Sequence, residues 1–477
     1  MTPSVTKRIV KNTSFLIMPE FVNLGLQLVF TIIMARWLGS SDFGMFYFAL
    51  AFVQLFHSFS ELGIWTILVR DVAQFKEQRL STYVNNAVPL RACLALLSYG
   101  LIVLVIPFSS YSMEVKQAVY ILGVGTGLST VVRIYLAAFR AFENMKYEGY
   151  GAAVLSIVYT SVGVPLLLKG YGIVGLAIAN LLGDICHAVY VASAYKRVFK
   201  CRLLQFDMDL QLWKYLLIAG LPLGISKVFT FVESKIDVII LSLIRSPVEV
   251  GWYSAARRIC DMLRAFPTAF YGSLFPLWSN YFRSDMQSLQ DTSVKTYRFM
   301  IFLALPIAVV FTILPDKILS FLLGAEYIPA HYALRVLGWL VVISYVGTAF
   351  GSLLISSDNC KTFTIIIGIQ LVTTILLSLL LVPAFGATGT SIAVVVSHGL
   401  NTLLCYLMVS KKLFSFGLFK NAITTVCAGA VMAGIVLLFR QFNVILLLPL
   451  AAASYLLSFY LINELYKPNL ALANRNI

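Results

Sequence analysis

Thirteen charged side chains fall in stretches of this 477-residue chain that are otherwise apolar enough to cross a lipid bilayer. Seven are basic (Arg91, Arg133, Lys227, Lys235, Arg257, Arg258, Arg264) and six acidic (Glu20, Glu61, Asp184, Glu233, Asp237, Asp261). At roughly 2.5 to 3.5 kcal/mol per charge at a helix centre, the set would cost up to about 40 kcal/mol facing lipid. It must line a wet cavity or pair inside a bundle. At about 100° per residue, Tyr253, Arg257, Asp261, Arg264, Thr268 and Tyr271 share one stripe, with Arg258 about a quarter turn away. This makes a cationic wall with aromatic ends. Guanidinium groups match two phosphate or carboxylate oxygens at once and stay charged at physiological pH, and tyrosines offer stacking faces and hydroxyls to sugars, so a pyrophosphate-linked sugar suits the stripe. The alternative is a structural cluster neutralised by Asp261. Three arginines against one aspartate weigh for a ligand.

Lys227, Glu233, Lys235 and Asp237 spread around one further apolar stretch, which therefore cannot face lipid. The two lysines join the expected cationic lining. Glu233 and Asp237, at i and i+4, are positioned for a coupling proton or sodium ion, or for salt bridges to neighbouring cations. Gln54, His57 and Glu61 form a polar stripe, and Asn180, Asp184 and His187 another. A buried Glu61 or Asp184 is a candidate proton carrier; helix-to-helix hydrogen bonding is the equal alternative. His398, alone on its stretch, reads as a packed residue. Glu20 and Arg91 lie near span ends, where contact with lipid headgroups is expected.

The elements that carry these residues follow from composition. The chain is 60% apolar and 12% charged, against roughly 25% charged in a soluble domain. At about 20 residues per spanning helix, fourteen spans are expected: 13–35, 44–68, 84–108, 115–139, 150–168, 173–194, 213–244, 251–275, 297–314, 333–355, 363–382, 387–409, 419–438 and 444–462. Lys7, Arg8 and Lys11 precede the first span, no small-residue cleavage site follows it and Arg36 closes it, so a retained helix is expected rather than a signal peptide. Counting Lys and Arg on alternate loops places 22 inside and 7 outside, so both termini are expected in the cytoplasm of a multi-pass cytoplasmic-membrane protein. The +15 charge is thereby a topology signal and not a nucleic-acid surface. No loop is large enough for an extramembrane catalytic domain, so no enzyme and no cofactor is expected. The seven cysteines show no metal spacing and are expected to be reduced, packed thiols; no metal site is expected.

The chain also repeats itself. Gly44 of Asp42-Phe43-Gly44-Met45-Phe46-Tyr47 aligns with Gly251 of Val248-Glu249-Val250-Gly251-Trp252-Tyr253. Tyr171-Gly172-Ile173-Val174-Gly175 aligns with Phe385-Gly386-Ala387-Thr388-Gly389, and Asn144 and Lys146 with Asn359 and Lys361. Ordered matches at nearly constant offset predict an all-α polytopic membrane protein of two pseudo-symmetric six-helix lobes, 1–204 and 205–412, with two further helices in 413–477. Parallel repeats of this kind characterise transporters that bind substrate between their halves and work by alternating access. Pro19 and Pro222 sit at similar depth in the two repeats and are candidates to kink them.

The basic start followed by Pro19, the Ala35-Arg36-Trp37-Leu38-Gly39 to Gly44-Met45-Phe46-Tyr47 turn, Glu61-Leu62-Gly63 with Arg70 beyond, and the paired Gly-x-x-Gly turns resemble the Wzx-type polysaccharide-transport flippases. These share the MOP exporter superfamily with lipid II flippases and multidrug MATE proteins. The resemblance covers essentially the whole chain. It implies a flippase that moves an isoprenoid diphosphate-linked oligosaccharide from the cytoplasmic to the outer leaflet for surface polysaccharide or O-antigen (lipopolysaccharide) assembly, with membrane lipids and a polysaccharide polymerase machinery as partners. It also implies a cationic central cavity, here Arg257, Arg258 and Arg264, and an H+ or Na+ gradient as the energy source. Where lipid II flippases carry arginines on the first span this chain has Glu20, which argues against lipid II as substrate. Asp237 is placed like the acid of a sodium site in that relative, with Gln370, Thr373, Thr374 and Thr388 as its possible partners. A MATE-like drug or metabolite antiporter, the alternative, implies an acidic cavity rather than surplus arginine.

Overall fold

The computed structural model describes residues 3–75, 77–201 and 208–473, with side chains for 25–75, 80–201, 208–222, 224–418 and 421–464. The side chain of Glu20, and Lys7, Arg8, Lys11, Lys76, Arg79, Arg202, Lys420, Lys467 and Arg475 of the loop charges, lie outside the described residues. The described chain is helical almost throughout, as its apolar runs require: within lipid every backbone N–H and C=O must find a partner in its own segment. The helices run α1 Pro3–Ser58, α2 Ile64–Phe75, α3 Glu77–Val105, α4 Met113–Ala141, α5 Lys146–Leu168, α6 Gly172–Phe199, α7 Leu210–Ile244, α8 Pro247–Ser284, α9 Met286–Ile313, α10 Pro315–Leu322, α11 His331–Ser356, α12 Cys360–Lys412, α13 Leu418–Leu438 and α14 Val444–Ala473.

Among the described residues, ten helical segments are long and apolar enough to cross a membrane, or eleven if α7, bent by 59° after Pro222, counts as one span. Helix α8 falls outside this set, its apolar run interrupted by Arg257, Arg258, Asp261 and Arg264. The expected fourteen spans divide α1 at Gly39 and α12 at Gly386, the points where each helix leaves helical geometry. They also join the second part of α1 to α2. The faces turned outward are apolar: Leu96, Leu97 and Leu104 on α3 are 69%, 65% and 64% exposed. Such a continuous bare surface is stable only against lipid.

Packing divides the chain into two units, Met1–Gly251 and Trp252–Ile477. In the first, α6 packs on α4 and α5, while α1 packs on α5, α4 and α7, and α2 sits against α4, α3 and α7. In the second, α11 packs on α12 and α9, and α13 packs on α14 and α9. The sequence repeat reappears in the backbone. Gly172 and Gly386 carry φ of 51° and 52°, positive values that cost a residue with a Cβ much and glycine little. Glu143 and Asp358, each just before a matched asparagine, have φ of 55° and 60°. The Asn144 N–H then donates to Phe139 O at 2.8 Å and the Asn359 N–H to Leu354 O at 2.9 Å, the same helix-ending bond in both repeats. All seven cysteines are free thiols. The expectation that they are packed holds for Cys260 and Cys405, whereas Cys93, Cys186, Cys360 and Cys427 are exposed, thiols being apolar enough to face lipid.

Candidate functional site

In the first unit the site grows from an interruption in a helix. After Ser58 the chain makes a tight turn through Leu62 and Gly63, with φ of 35° and 72°, and resumes as α2 when the Ile64 N–H donates to Glu61 O at 3.1 Å. A Cβ at residue 63 would overlap the Gly220 carbonyl of α7, so the absence of a side chain lets α7 lie directly on the turn. Gly220, Gly224 and Lys227 share one face of α7 at i, i+4 and i+7. The same close approach that needs the glycines therefore delivers the Lys227 ammonium to the turn.

Glu61, 4% exposed, sits at the centre. Arg91 of α3 donates through Nη2 to Glu61 Oε2 at 2.6 Å, Arg133 Nη1 of α4 lies 3.7 Å from the same oxygen, and Lys227 Nζ lies 3.6 Å from Oε1. Three cations from three helices thus meet one carboxylate, an excess of two positive charges. Arg91 also donates to the Ser60 carbonyl and, through Nε, to Thr130 O at 3.4 Å, supplying donors to backbone beside the broken turn. Its side chain is wholly buried, so the expected headgroup contact is corrected: Arg91 is an internal clamp, drawn inward by the buried carboxylate. Arg133 and Lys227 differ, their side chains being 51% and 32% exposed. Lys227 donates to Thr66 Oγ1 at 2.8 Å and lies 4.9 Å from the centre of the Trp65 ring.

Elsewhere in this unit, Asp184 on α6 is buried and accepts from Ser129 Oγ of α4 at 2.6 Å, its carboxylate lying close over Gly125. His57 Nε2 donates to Gly123 O at 3.0 Å, and His187 is buried against Gly151. The two expected polar stripes thus reach neighbouring helices rather than one another. Glu233 and Asp237 are both buried on α7, Asp237 Oδ1 accepting from the Val238 N–H at 2.7 Å, while Lys235 is half-buried. A recess of about 510 Å³, lined by Asp42, Tyr111, Glu114 and Arg245 among others, holds none of the expected site residues. The charge chemistry is elsewhere, in the Glu61 cluster, and carries the greater weight.

In the second unit the stripe of α8 closes on itself. Arg257 Nε donates to Asp261 Oδ1 at 3.1 Å and Arg264 Nη1 to the same oxygen at 2.9 Å. Arg264 Nη2 lies 3.2 Å from Nε2 of His398 on α12, whose Nδ1 faces Val394 O at 3.0 Å. Nδ1 must carry the ring proton to meet a carbonyl, so Nε2 is the acceptor for Arg264 and the imidazole is neutral. Arg258 is half-buried beside this chain of bonds. Tyr253 and Tyr271 are 0% and 1% exposed and offer no face to a ligand in this arrangement. Tyr271 Oη donates to Tyr345 O at 3.1 Å and Tyr345 Oη donates to Leu263 O at 2.9 Å. Leu263 O is the carbonyl that Pro267, lacking an N–H, leaves without its helical donor. The tyrosines therefore fasten α8 to α11.

Sequence reasoning placed Arg257, Arg264 and Asp261 together, as the structure does. In the sequence Arg91 and Arg133 stand out as intramembrane charges without a site role, and His398 reads as a packed residue. The available signals were the Gly220-to-Lys227 face and the turn at Leu62-Gly63. No group of three or more His, Cys, Asp or Glu able to hold a metal occurs among the described residues.

Residues 9–282 match the family described as polysaccharide biosynthesis protein, and residues 222–380 match the MatE family. The probable flippase AglR of Haloferax volcanii is 26% identical over 79% of this chain and 78% of its own length. A probable low-salt glycan biosynthesis flippase of the same organism is 23% identical over 38% of each chain, so this chain spans well under half of that relative. Among solved structures, lipid II flippase MurJ in an inward closed conformation superimposes with a TM-score of 0.75 at 16% identity, covering 95% of this chain and 99% of that one. The fold is thus that of the lipid II flippase structure, and this multi-pass chain belongs to the polysaccharide biosynthesis protein family.

Proposed function

We propose that this protein is a flippase that carries an isoprenoid diphosphate-linked oligosaccharide from the cytoplasmic to the outer leaflet of the cytoplasmic membrane by alternating access, for surface polysaccharide assembly. The observation that carries this reading is the excess of positive charge around Glu61, with Arg133 and Lys227 partly open to the surroundings. Cations kept at a cost in a membrane protein call for an anionic ligand, and a diphosphate supplies several acceptor oxygens to match ammonium and guanidinium donors. Arg257, Arg258 and Arg264 of α8 supply a cationic stretch of their own for an anionic headgroup in the second unit, with Lys235 as an additional cation in the first. Asp184, Glu233 and Asp237, each buried, are the candidates to take the coupling proton or sodium ion, and the loop charges favour cytoplasmic termini. A glycan polymerase would then receive the product on the far side.

The MatE match over residues 222–380 favours a second reading, a drug or metabolite antiporter. A cationic drug would be repelled by both clusters, which sets this reading behind the first. Liposomes containing the protein and a fluorescent isoprenoid-diphosphate oligosaccharide separate the two. Leaflet transfer stimulated by a proton or sodium gradient is the expected result; gradient-driven efflux of small cations with no transfer of lipid-linked sugar would establish the antiporter instead.

A further inference from the structure

We propose that Glu61 is a built-in surrogate for the ligand's phosphate, a carboxylate that holds Arg133 and Lys227 until a phosphate displaces it, while Arg91 keeps it in place. The identity of the ligand rests on the flippase reading above; the displacement rests on the geometry of the first unit alone. The three cations hold Glu61 unequally. Arg91 makes a charge-assisted hydrogen bond at 2.6 Å from a fully buried side chain and is further committed to the Ser60 and Thr130 carbonyls. Arg133 and Lys227, at 3.7 and 3.6 Å, lie in ion-pair range but beyond hydrogen-bonding distance, and both are partly exposed. These two contacts are Coulombic without a directional bond. A phosphate oxygen accepting true hydrogen bonds from the same groups gains what Glu61 does not.

The other partners of Lys227 orient it without neutralising it: a hydroxyl donates no charge and the Trp65 ring attracts a cation only weakly. Two cations from α4 and α7 are thus presented to a ligand around an anion that cannot leave. When phosphate departs, Glu61 regains both of them, so release does not strand two cations in the membrane interior, where isolated charge is costly. Glu61 is by this account a positioning residue that holds anion affinity low enough for release.

Inorganic pyrophosphate is the probe, titrated calorimetrically against the full chain in nanodiscs. Glu61→Gln keeps an acceptor for Arg91 and removes the competing charge, and it should bind pyrophosphate roughly tenfold more tightly while transferring lipid-linked oligosaccharide more slowly. Arg133→Gln, at a half-exposed site, should bind it roughly tenfold more weakly with unchanged thermal stability. Unchanged or weaker affinity in a folded Glu61→Gln overturns the proposal, as does absence of binding by both wild type and variant. Should Glu61→Gln fail to accumulate, unaltered affinity in Arg133→Gln overturns it instead. Leaflet transfer by the wild type without these affinity changes would remove the role of Glu61 and leave the flippase reading intact. The affinity changes without transfer of any lipid-linked sugar would do the reverse.

Discussion

Glu61 and Asp261 each anchor cations inside a membrane protein, and they do so by opposite means. Glu61 stands in a helix break and gathers Arg91, Arg133 and Lys227 from α3, α4 and α7, so the ion cluster is also a joint between helices. Asp261 lies within an unbroken helix and takes Arg257 and Arg264 from the same strip of α8, with a side chain 37% exposed. The first cluster is inseparable from the packing of its unit. The second is a local arrangement held to its unit by His398 and by the Tyr271–Tyr345 exchange of hydrogen bonds. On the proposed function, charge in the first does two jobs, folding and binding, and charge in the second is freer to serve the ligand alone.

The sharpest way to break this contrast is to remove the anchor of each. Arg91→Leu leaves the buried Glu61 to the longer Arg133 and Lys227 ion pairs and takes donors from the Ser60 and Thr130 carbonyls, and should cost about 3 kcal/mol, read as a large fall in thermal unfolding temperature in detergent. Asp261→Asn, at a partly exposed site, should cost much less, and equal losses would erase the distinction. Next in size are the cations proposed to meet the ligand. Lys227→Gln, Arg257→Ala and Arg264→Ala should each slow leaflet transfer by roughly tenfold to a hundredfold while the protein stays in the membrane. Normal transfer in the α8 variants would reduce that stripe to helix glue.

His398→Phe, which keeps a ring and removes the Nε2 acceptor, should slow transfer about tenfold or less, whereas His398→Gln, with an oxygen able to accept from Arg264, should keep most of the rate. Equal behaviour of the two would show that His398 is packing only. Smallest is Gly172→Ala, at a positive φ with open space around the added Cβ. It should cost roughly 1 to 2 kcal/mol, and Gly386→Ala at the matched turn should cost a similar amount if the repeat is an energetic one as well as a geometric one.

The contrast also explains what could be read from sequence. Arg257, Asp261 and Arg264 meet because helix periodicity alone brings i, i+4 and i+7 to one face. The Glu61 cluster depends on which helices are neighbours: its tightest partner, Arg91, is 30 residues away, and nothing in the periodicity of α3 names that partner. The all-helical, multi-pass character was legible because lipid imposes a length and an apolar composition on each helix. The break at Leu62-Gly63 was not, falling inside the expected span 44–68, whereas Gly39 and Gly386 lie between expected spans and the backbone leaves helical geometry at both. The repeat was legible at Gly172, Gly386, Asn144 and Asn359 because its turns need particular residues. The burial of Tyr253 and Tyr271 was not, since a stripe of aromatics facing a cavity and one facing a partner helix have the same spacing.

The proposed function requires that surplus positive charge recognise a diphosphate. Its most direct test compares leaflet transfer, in one proteoliposome preparation, of two lipids bearing the same oligosaccharide, one through a diphosphate and one through an uncharged ether link. The wild type should transfer the diphosphate lipid far faster, and a variant carrying both Arg133→Gln and Arg264→Gln should lose most of that preference while remaining folded. Equal transfer of the two lipids by the wild type, or a preference untouched in the double variant, would contradict the account.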